Sequence, residues 1–572
     1  MAEPDGLSRG GSGHDDAELR GVPEIASSIV RARARLHSAN SLPTALFLAA
    51  GLVAGLVLFR LGHGTFFRGD DWDMIVYRTD YRPAILLHPH ADHLVAIQIA
   101  AFELLRSVAG WHYGAYRLVM ILLHLAVAGG VFLFVRRRVS NWLSLMVLPL
   151  LFLGTASAGF FWAGVMGNIA SLAFGIAALL LLDRIEISRR DQLAVCALLF
   201  ASIASFSWGV AFALAIGVSL VISPATRRMA WIAAAPLVAY AVWRLVYPAH
   251  GVSLDDLRET PIFVADSLAA AFGAITGLGV GWGRLMALGA GLLLVGGLRR
   301  AGRVSATETA TLSLPFLIWV LTGIGRAAPD GSAIVNDARY LYAGVATVLM
   351  AFAVVVAKSR PPRLVTAAVL PLALIGLLVN AITLRQDAAA ARNQADSVRA
   401  YIGALEIARP VLRPTFGLTD VSPNQDVSAL IGSFEASPFE KAAGRIGNEP
   451  VDLKALPRLS PDRRQVVDDV LARALGLHLA APAPPPAHEQ CTTIEGGMGR
   501  ELRLPRNGLD LGVGPQPADV FVRRYADAPA QRLLGSLSPG QAASLVAPSD
   551  RSRLPWFVRV VSGSPVRACG AR

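Results

Sequence analysis

Long apolar runs separated by short basic clusters make up most of this chain. The first run, 42–61, is long enough to cross a bilayer core of ~30 Å at ~1.5 Å per residue. Similar runs follow at 115–135, 142–157, 168–182, 193–205, 208–222, 229–246, 283–298, 309–323, 339–357 and 365–384. The pattern predicts an all-α polytopic membrane protein with about eleven transmembrane helices, several shorter than the usual ~20 residues. Two more stretches read differently. Residues 93–108 are apolar at helical spacing through Leu94, Ile97, Ala101, Leu104 and Leu105, yet carry Gln98, Glu103 and Arg106. That mixture suits a helix lying in the interface. Residues 262–280 are read the same way, and a crossing by either stretch would invert the sides downstream.

Composition agrees with a membrane protein. Of 572 residues, 54% are hydrophobic and 16% charged, against about 25% charged in soluble domains. The net charge of +12 does not point to nucleic acid, because the basic residues sit between apolar runs rather than along one surface. They cluster at Arg136-Arg137-Arg138, Arg189-Arg190, Arg227-Arg228, Arg299-Arg300 and from Lys358 to Arg363. With the N-terminus in the cytoplasm, all of these clusters fall inside. The loops 61–114, 248–282 and 325–338, and everything after 384, then fall outside. Lysine occurs only at Lys358, Lys441 and Lys454 among abundant Ala, Gly and Arg, a composition of GC-rich bacteria; the expected location is a bacterial plasma membrane. The tail 1–41 reads as disordered and cytoplasmic, and the run behind it as a retained anchor rather than a cleaved signal.

Past residue 384 the pattern changes. A polar, Ala-rich helical stretch (386–408) opens an outer helical region, 385–480. A proline-rich linker (481–487) leads to a β-rich module, 488–572, with alternating runs such as Val520-Phe521-Val522 and Phe557-Val558-Arg559-Val560. Cys491 and Cys569 lie at the two ends of that module and are expected to form a disulfide in an oxidising compartment. Cys196 falls inside an apolar run and reads as a small buried residue.

The chemistry concentrates just beyond the first run, in Asp70-Asp71-Trp72-Asp73. One acid suffices to cap a short helix at 72–77. Three acids at the membrane boundary also suit catalysis, because partial desolvation raises a carboxylate's pKa toward that of a general base. The same loop carries His88-Pro89-His90-Ala91-Asp92-His93, and a late run opens with Arg339-Tyr340-Leu341-Tyr342.

A first span followed by an exposed Asp-Asp motif, a loop with interfacial helices, a histidine after the acids and an Arg-Tyr pair at a late span resembles the GT-C superfamily. These polytopic membrane glycosyltransferases depend on polyprenyl-phosphate-linked sugars. The resemblance covers 42 to about 384. It implies an inverting hexosyl- or pentosyltransferase that moves a sugar from the lipid-linked donor to an extracytoplasmic glycan, lipid or protein acceptor. Asp70 or Asp71 would be the base, Asp73 and His93 would support the acid or the acceptor, and Arg339, Tyr340, Arg244 and Arg326 would bind the donor phosphate. A divalent cation is possible in such enzymes; His88, His90, Asp92 and His93 offer ligand types, but not at a recognised zinc spacing. His124, mid-run, reads as a helix–helix hydrogen bond. Two other readings stay open: a transporter or flippase of a lipid-linked glycan, and a non-catalytic envelope scaffold of the same fold.

Overall fold

The computed structural model describes residues 22–184, 186–248, 253–301, 304–327, 335–417, 431, 435–447, 449–481, 490–497, 499–527 and 531–570. The major helices are α1 (Val22–Leu61), α2 (Ala96–Ala109), α3 (Tyr113–Arg136), α4 (Met166–Leu182), α5 (Arg189–Ser205), α6 (Trp208–Ile222) and α7 (Trp231–Val246). They continue as α8 (Leu254–Thr276), α9 (Gly279–Ala301), α10 (Ala306–Arg326), α11 (Ala338–Ser359), α12 (Arg363–Ala408), α13 (Ala436–Ile446) and α14 (Pro461–Ala474).

Among the described residues, eight helices are long and apolar enough to cross a membrane, not the expected eleven. The other three runs fall short for separate reasons. Residues 208–222 form α6, which has only 15 residues. Residues 193–205 belong to α5, whose 17 residues open with Arg189, Arg190 and Asp191. Residues 142–157 are broken into Leu143–Val147, Leu148–Leu151 and Gly154–Ala156. Pro149 opens the middle piece. At Gly154 the chain meets α12 so closely that a Cβ would stand 2.2 Å from the Asn380 carbonyl oxygen. Asn380 itself is fully buried and ties three segments together. It accepts from the Thr155 N–H (3.3 Å) and donates to the carbonyls of Ala274 (2.8 Å) and Gly376 (2.9 Å), the kind of polar link that joins helices in an apolar medium.

α1 begins at Val22, so the helix of the first run extends back into the tail. Between Pro23 and Pro43 that stretch holds no glycine or proline, and its Ala and Arg content favours helix. Residues 1–21 lie outside the described residues.

Ion pairs gather the basic clusters at one end of the bundle. Arg138 meets Asp183 at 2.6 Å, Arg184 meets Asp191 at 2.6 Å, and Lys358 meets Glu308 at 2.9 Å. Arg189 lies over the Trp231 ring, and Arg300 donates to the Ser359 carbonyl at 3.0 Å. The acidic loop, the start of α11 and the end of α10 occupy the opposite end. α11 is the central helix, with 83% of its apolar window buried, whereas α9 is peripheral at 6%. α8 carries Asp255, Asp256, Arg258, Glu259 and Asp266 and is not among the eight.

α12 runs on for 46 residues and leaves the bundle at the acidic end. Arg392 donates to the Leu61 carbonyl (2.7 Å) and Arg399 to that of Thr65 (3.3 Å), while Arg117 of α3 donates to that of Gly62. Three cations thus meet the carbonyl end of α1, where the helix dipole favours positive charge. Beyond α12 and α14 lie two four-stranded antiparallel sheets, β1-β8-β3-β6 and β2-β7-β4-β5. Their strands are β1 (Gln490–Ile494), β2 (Glu501–Arg503), β3 (Leu509–Val513), β4 (Ala518–Arg523), β5 (Arg532–Leu537), β6 (Ala542–Leu545), β7 (Phe557–Ser562) and β8 (Val566–Gly570). Alternate residues such as Val520, Val522, Val558 and Val560 are buried, as the two-residue period of a strand requires. Cys491 pairs with Cys569 across β1 and β8, and a disulfide joins them. The proline-rich linker, from 482 on, lies outside the described residues. Asp468 of α14 accepts the N–H groups of Arg524, Tyr525 and Ala526, at 2.8–3.0 Å. These bonds fix the β module to the helical region.

Candidate functional site

The acidic loop folds as a short turn of helix, Asp70–Trp72, that runs directly into a wider turn, Asp73–Tyr77. No acid caps this helix. The N-cap is Gly69, at φ 52° and ψ −125°, a conformation that favours glycine. Asp71 instead reaches back, accepting the Arg68 N–H at 3.0 Å through Oδ2. Its Oδ1 makes no well-aligned hydrogen bond among the described residues, with the Gly164 N–H its nearest donor influence. That oxygen faces Gly164, where a Cβ would stand 3.2 Å away. Asp71 is fully buried. Burial pushes its pKa well above the usual carboxylate range, partly offset by the Arg68 N–H and the Arg68 charge.

Asp70 and Asp73 face outward, with side chains 44% and 34% exposed. His90 stands between them, its Nδ1 2.9 Å from Asp73 Oδ2 and its Nε2 3.6 Å from Asp70 Oδ2. Burial alone would lower the His90 pKa, but the two carboxylates outweigh it and raise it to about 9. For Asp73, burial is likewise the largest single influence, yet His90 and Arg78 together hold it below the usual range. Arg78 donates to Asp73 at 2.7 Å and to the carbonyls of His88 (2.9 Å) and Pro89 (3.0 Å). His90 and His93 exchange backbone hydrogen bonds around Ala91 (φ 45°) and Asp92 (φ 68°). Two consecutive positive φ values at non-glycine residues mark a strained, tight reversal.

That reversal separates the two histidines. His93 turns away from the acids, and its Nδ1 meets Ser207 Oγ at 2.7 Å. Its Nε2 is buried without a hydrogen-bond partner among the described residues. Burial, then the charges of Arg326 and His90, lower its pKa to about 3, so the ring is neutral. His93, Arg244, Arg326 and Tyr340 line a cavity of about 300 Å³. Arg326 lies over the Tyr340 ring, and Arg244 donates to the Tyr247 carbonyl at 3.3 Å. Neither is ion-paired among the described residues. Arg339 is held by Asp337 at 2.7 Å, and that carboxylate also caps α11 through the Arg339 N–H. The charge of Asp70 reaches both Arg339 and Tyr340.

The sequence-derived site therefore divides into three groups. Asp70, Asp73 and His90 form one, with Arg339 near enough to feel the Asp70 charge. His93, Arg244, Arg326 and Tyr340 form a second. Asp71 lies buried beneath the loop. The four candidate metal-ligand residues do not converge: His90 turns to the acids, His93 to Ser207, and His88 Nδ1 to the Pro89 carbonyl at 3.1 Å. Among the described residues no three His, Cys, Asp or Glu side chains gather to hold an ion.

Several residues of the site went unread in the sequence. Trp162 donates to the Arg68 carbonyl at 2.9 Å, and its ring carries the guanidinium groups of both Arg68 and Arg339. Gln98 holds the adjoining backbone by donating to the Gly164 carbonyl at 2.8 Å. Ser207 sets the direction of His93. Gln98, one of the few polar residues on an amphipathic helix, was a legible signal; nothing in the run Phe160-Phe161-Trp162 marks its tryptophan.

No family model matches the chain, and no curated protein matches it. Among solved structures it is similar to ArnT from Cupriavidus metallidurans bound to undecaprenyl phosphate. The identity is 14%, the TM-score 0.42, and the match covers 77% of this chain and 96% of that one. At that level no residue role carries across.

Proposed function

We propose that this chain is a GT-C-type glycosyltransferase of the bacterial plasma membrane, transferring a sugar from a polyprenyl-phosphate donor to an extracytoplasmic acceptor with inversion. One observation supports this most. Asp70 is a half-exposed carboxylate beside His90, its charge felt by Arg339, at the end of the bundle that also holds the Arg244–Arg326 cavity. The basic end is then cytoplasmic by the positive-inside bias. The acidic loop and the disulfide-linked β module are outside, in an oxidising compartment.

Asp70 is the better base of the pair, because Asp71 has no exposed surface to offer an acceptor. In the reaction the acceptor oxygen forms a bond to the anomeric carbon and loses its proton to Asp70. The bond from that carbon to the phosphate oxygen breaks, and its electron pair leaves with the polyprenyl phosphate. Arg244 and Arg326 stabilise the departing anion, and the neutral His93 ring offers it a hydrogen-bonding face.

Transfer from a synthetic short-chain polyprenyl-phospho-sugar, by wild type and Asp70→Asn, tests the reading. Asp70→Asn should lower the rate about 10²–10⁴-fold, far more than the modest fall in Tm expected from the weakened His90 contact. A variant that keeps full activity would remove Asp70 as base. A wild type that moves the lipid across vesicles without cleaving it would favour a flippase.

A further inference from the structure

A second polar cavity lies at the other end of the bundle. It encloses about 510 Å³ between the start of the 143–147 turn, the end of α11 and the beginning of α12. Arg138, Arg360, Ser140 and Thr366 contribute its polar groups. Arg138 shares its charge with Asp183. Arg360 is ion-paired with no acid among the described residues, and is exposed just where α11 ends, at φ 46°. Below these groups the wall is apolar: Leu143, Val356 and Leu370. Trp142, 49% exposed, stands at the mouth.

We infer that this cavity binds an anionic glycerophospholipid from the basic-end leaflet. The phosphodiester would meet Arg360 and the Ser140 and Thr366 hydroxyls, and an acyl chain would follow the apolar wall. Each feature answers one part of that ligand. An unpaired arginine beside hydroxyls suits a phosphate. Basic pockets between membrane helices hold anionic headgroups, and an exposed tryptophan belongs at headgroup level. A free phosphate would use the polar rim and leave the apolar wall without purpose. The bilayer also has access. The apolar part of α12 is mostly unburied, and an almost entirely apolar cavity of about 380 Å³ lies on the other face of the same helix segment. The site is at the opposite end of the bundle from Asp70 and holds whether or not the chain transfers sugar.

Native mass spectrometry of the full chain, titrated with phosphatidylglycerol or phosphatidylcholine of identical chains, tests it. Wild type should retain one phosphatidylglycerol in preference to phosphatidylcholine. Arg360→Ala should weaken that retention about fivefold, while Arg360→Lys restores most of it. Arg190→Ala, at the same end but outside the cavity, should change nothing. Thr366→Trp, which crowds the cavity beside Arg360 while keeping every arginine, should also displace the lipid. Equal retention of the two lipids, or an unaltered preference in both Arg360→Ala and Thr366→Trp, overturns the inference. So does competition by glycerol phosphate as effective as that by the lipid, which would make this a free-anion site.

Discussion

His90 and Asp73 form a close charged pair, Nδ1 to Oδ2 at 2.9 Å, across the mouth of the acidic loop. The pair has a definite pH window. The His90 pKa is raised from 6.5 to about 9, so its contribution is fully present below pH 6.5 and is lost as pH rises through about 9. The Asp73 pKa is lowered from 3.8, so its contribution is present above that value and is lost as pH falls below it. On the histidine side the contribution, drawn from Asp70 as well as Asp73, is on the order of 3 kcal/mol. The protection of the amides at residues 88–93, taken relative to their intrinsic base-catalysed exchange at each pH, should fall between pH 7 and about 9.5 in wild type. His90→Gln should show low protection throughout and no such transition.

Asp71 should behave unlike its neighbour. Asp71→Ala strands the buried Arg68 N–H and is expected to cost about 1–3 kcal/mol, seen as a lower Tm. Asp71→Asn keeps an acceptor of the same shape without burying a charge, and should be close to wild type in Tm. If Asp71→Asn instead abolished transfer and Asp70→Asn did not, the two acids would exchange roles.

The cavity arginines should act on the donor. Arg326→Ala and Arg244→Ala each remove a charge-assisted contact worth about 1.5–3 kcal/mol, or roughly ten- to hundredfold in kcat/KM. Steady-state kinetics with varied donor should show that loss, and varied acceptor should leave the acceptor KM nearly unchanged. An effect confined to the acceptor would move the phosphate site elsewhere.

The outer helical region braces the loop through Phe439. Its ring is fully buried, with centroids 6.5 Å from Trp72 and 6.4 Å from Trp111. Phe439→Ala should cost about 3–5 kcal/mol locally. Limited proteolysis should then cut α13 or the loop at 70–95 sooner, with the membrane helices still resistant. Protection equal to wild type would show that α13 does not hold the loop.

Much of this was legible in the residues, for physical reasons. Eight of the expected spans coincide with helices because a helix of about twenty apolar residues satisfies its own backbone in lipid whatever its neighbours do. The stretch at 142–157 failed that logic. Its backbone bonds close short local turns, and the Thr155 N–H is satisfied from outside, by Asn380, which stands more than two hundred positions away in the sequence. The basic clusters were placed correctly on one end because charge asymmetry is a property of loops, not of packing.

The sequence by itself determined an apolar helical bundle with basic and acidic ends, a β-rich module beyond it, and which loop holds the acids. Those follow from hydropathy, periodicity and local charge. Only the tertiary structure decided that Asp70 is open while Asp71 is sealed under Gly164, that His90 rather than His93 joins the acids, and that Trp162 lies between Arg68 and Arg339. Burial and pairing arise where separate segments meet. Adjacent acids on a turn differ in pattern by nothing, and in surroundings by everything that packs against them.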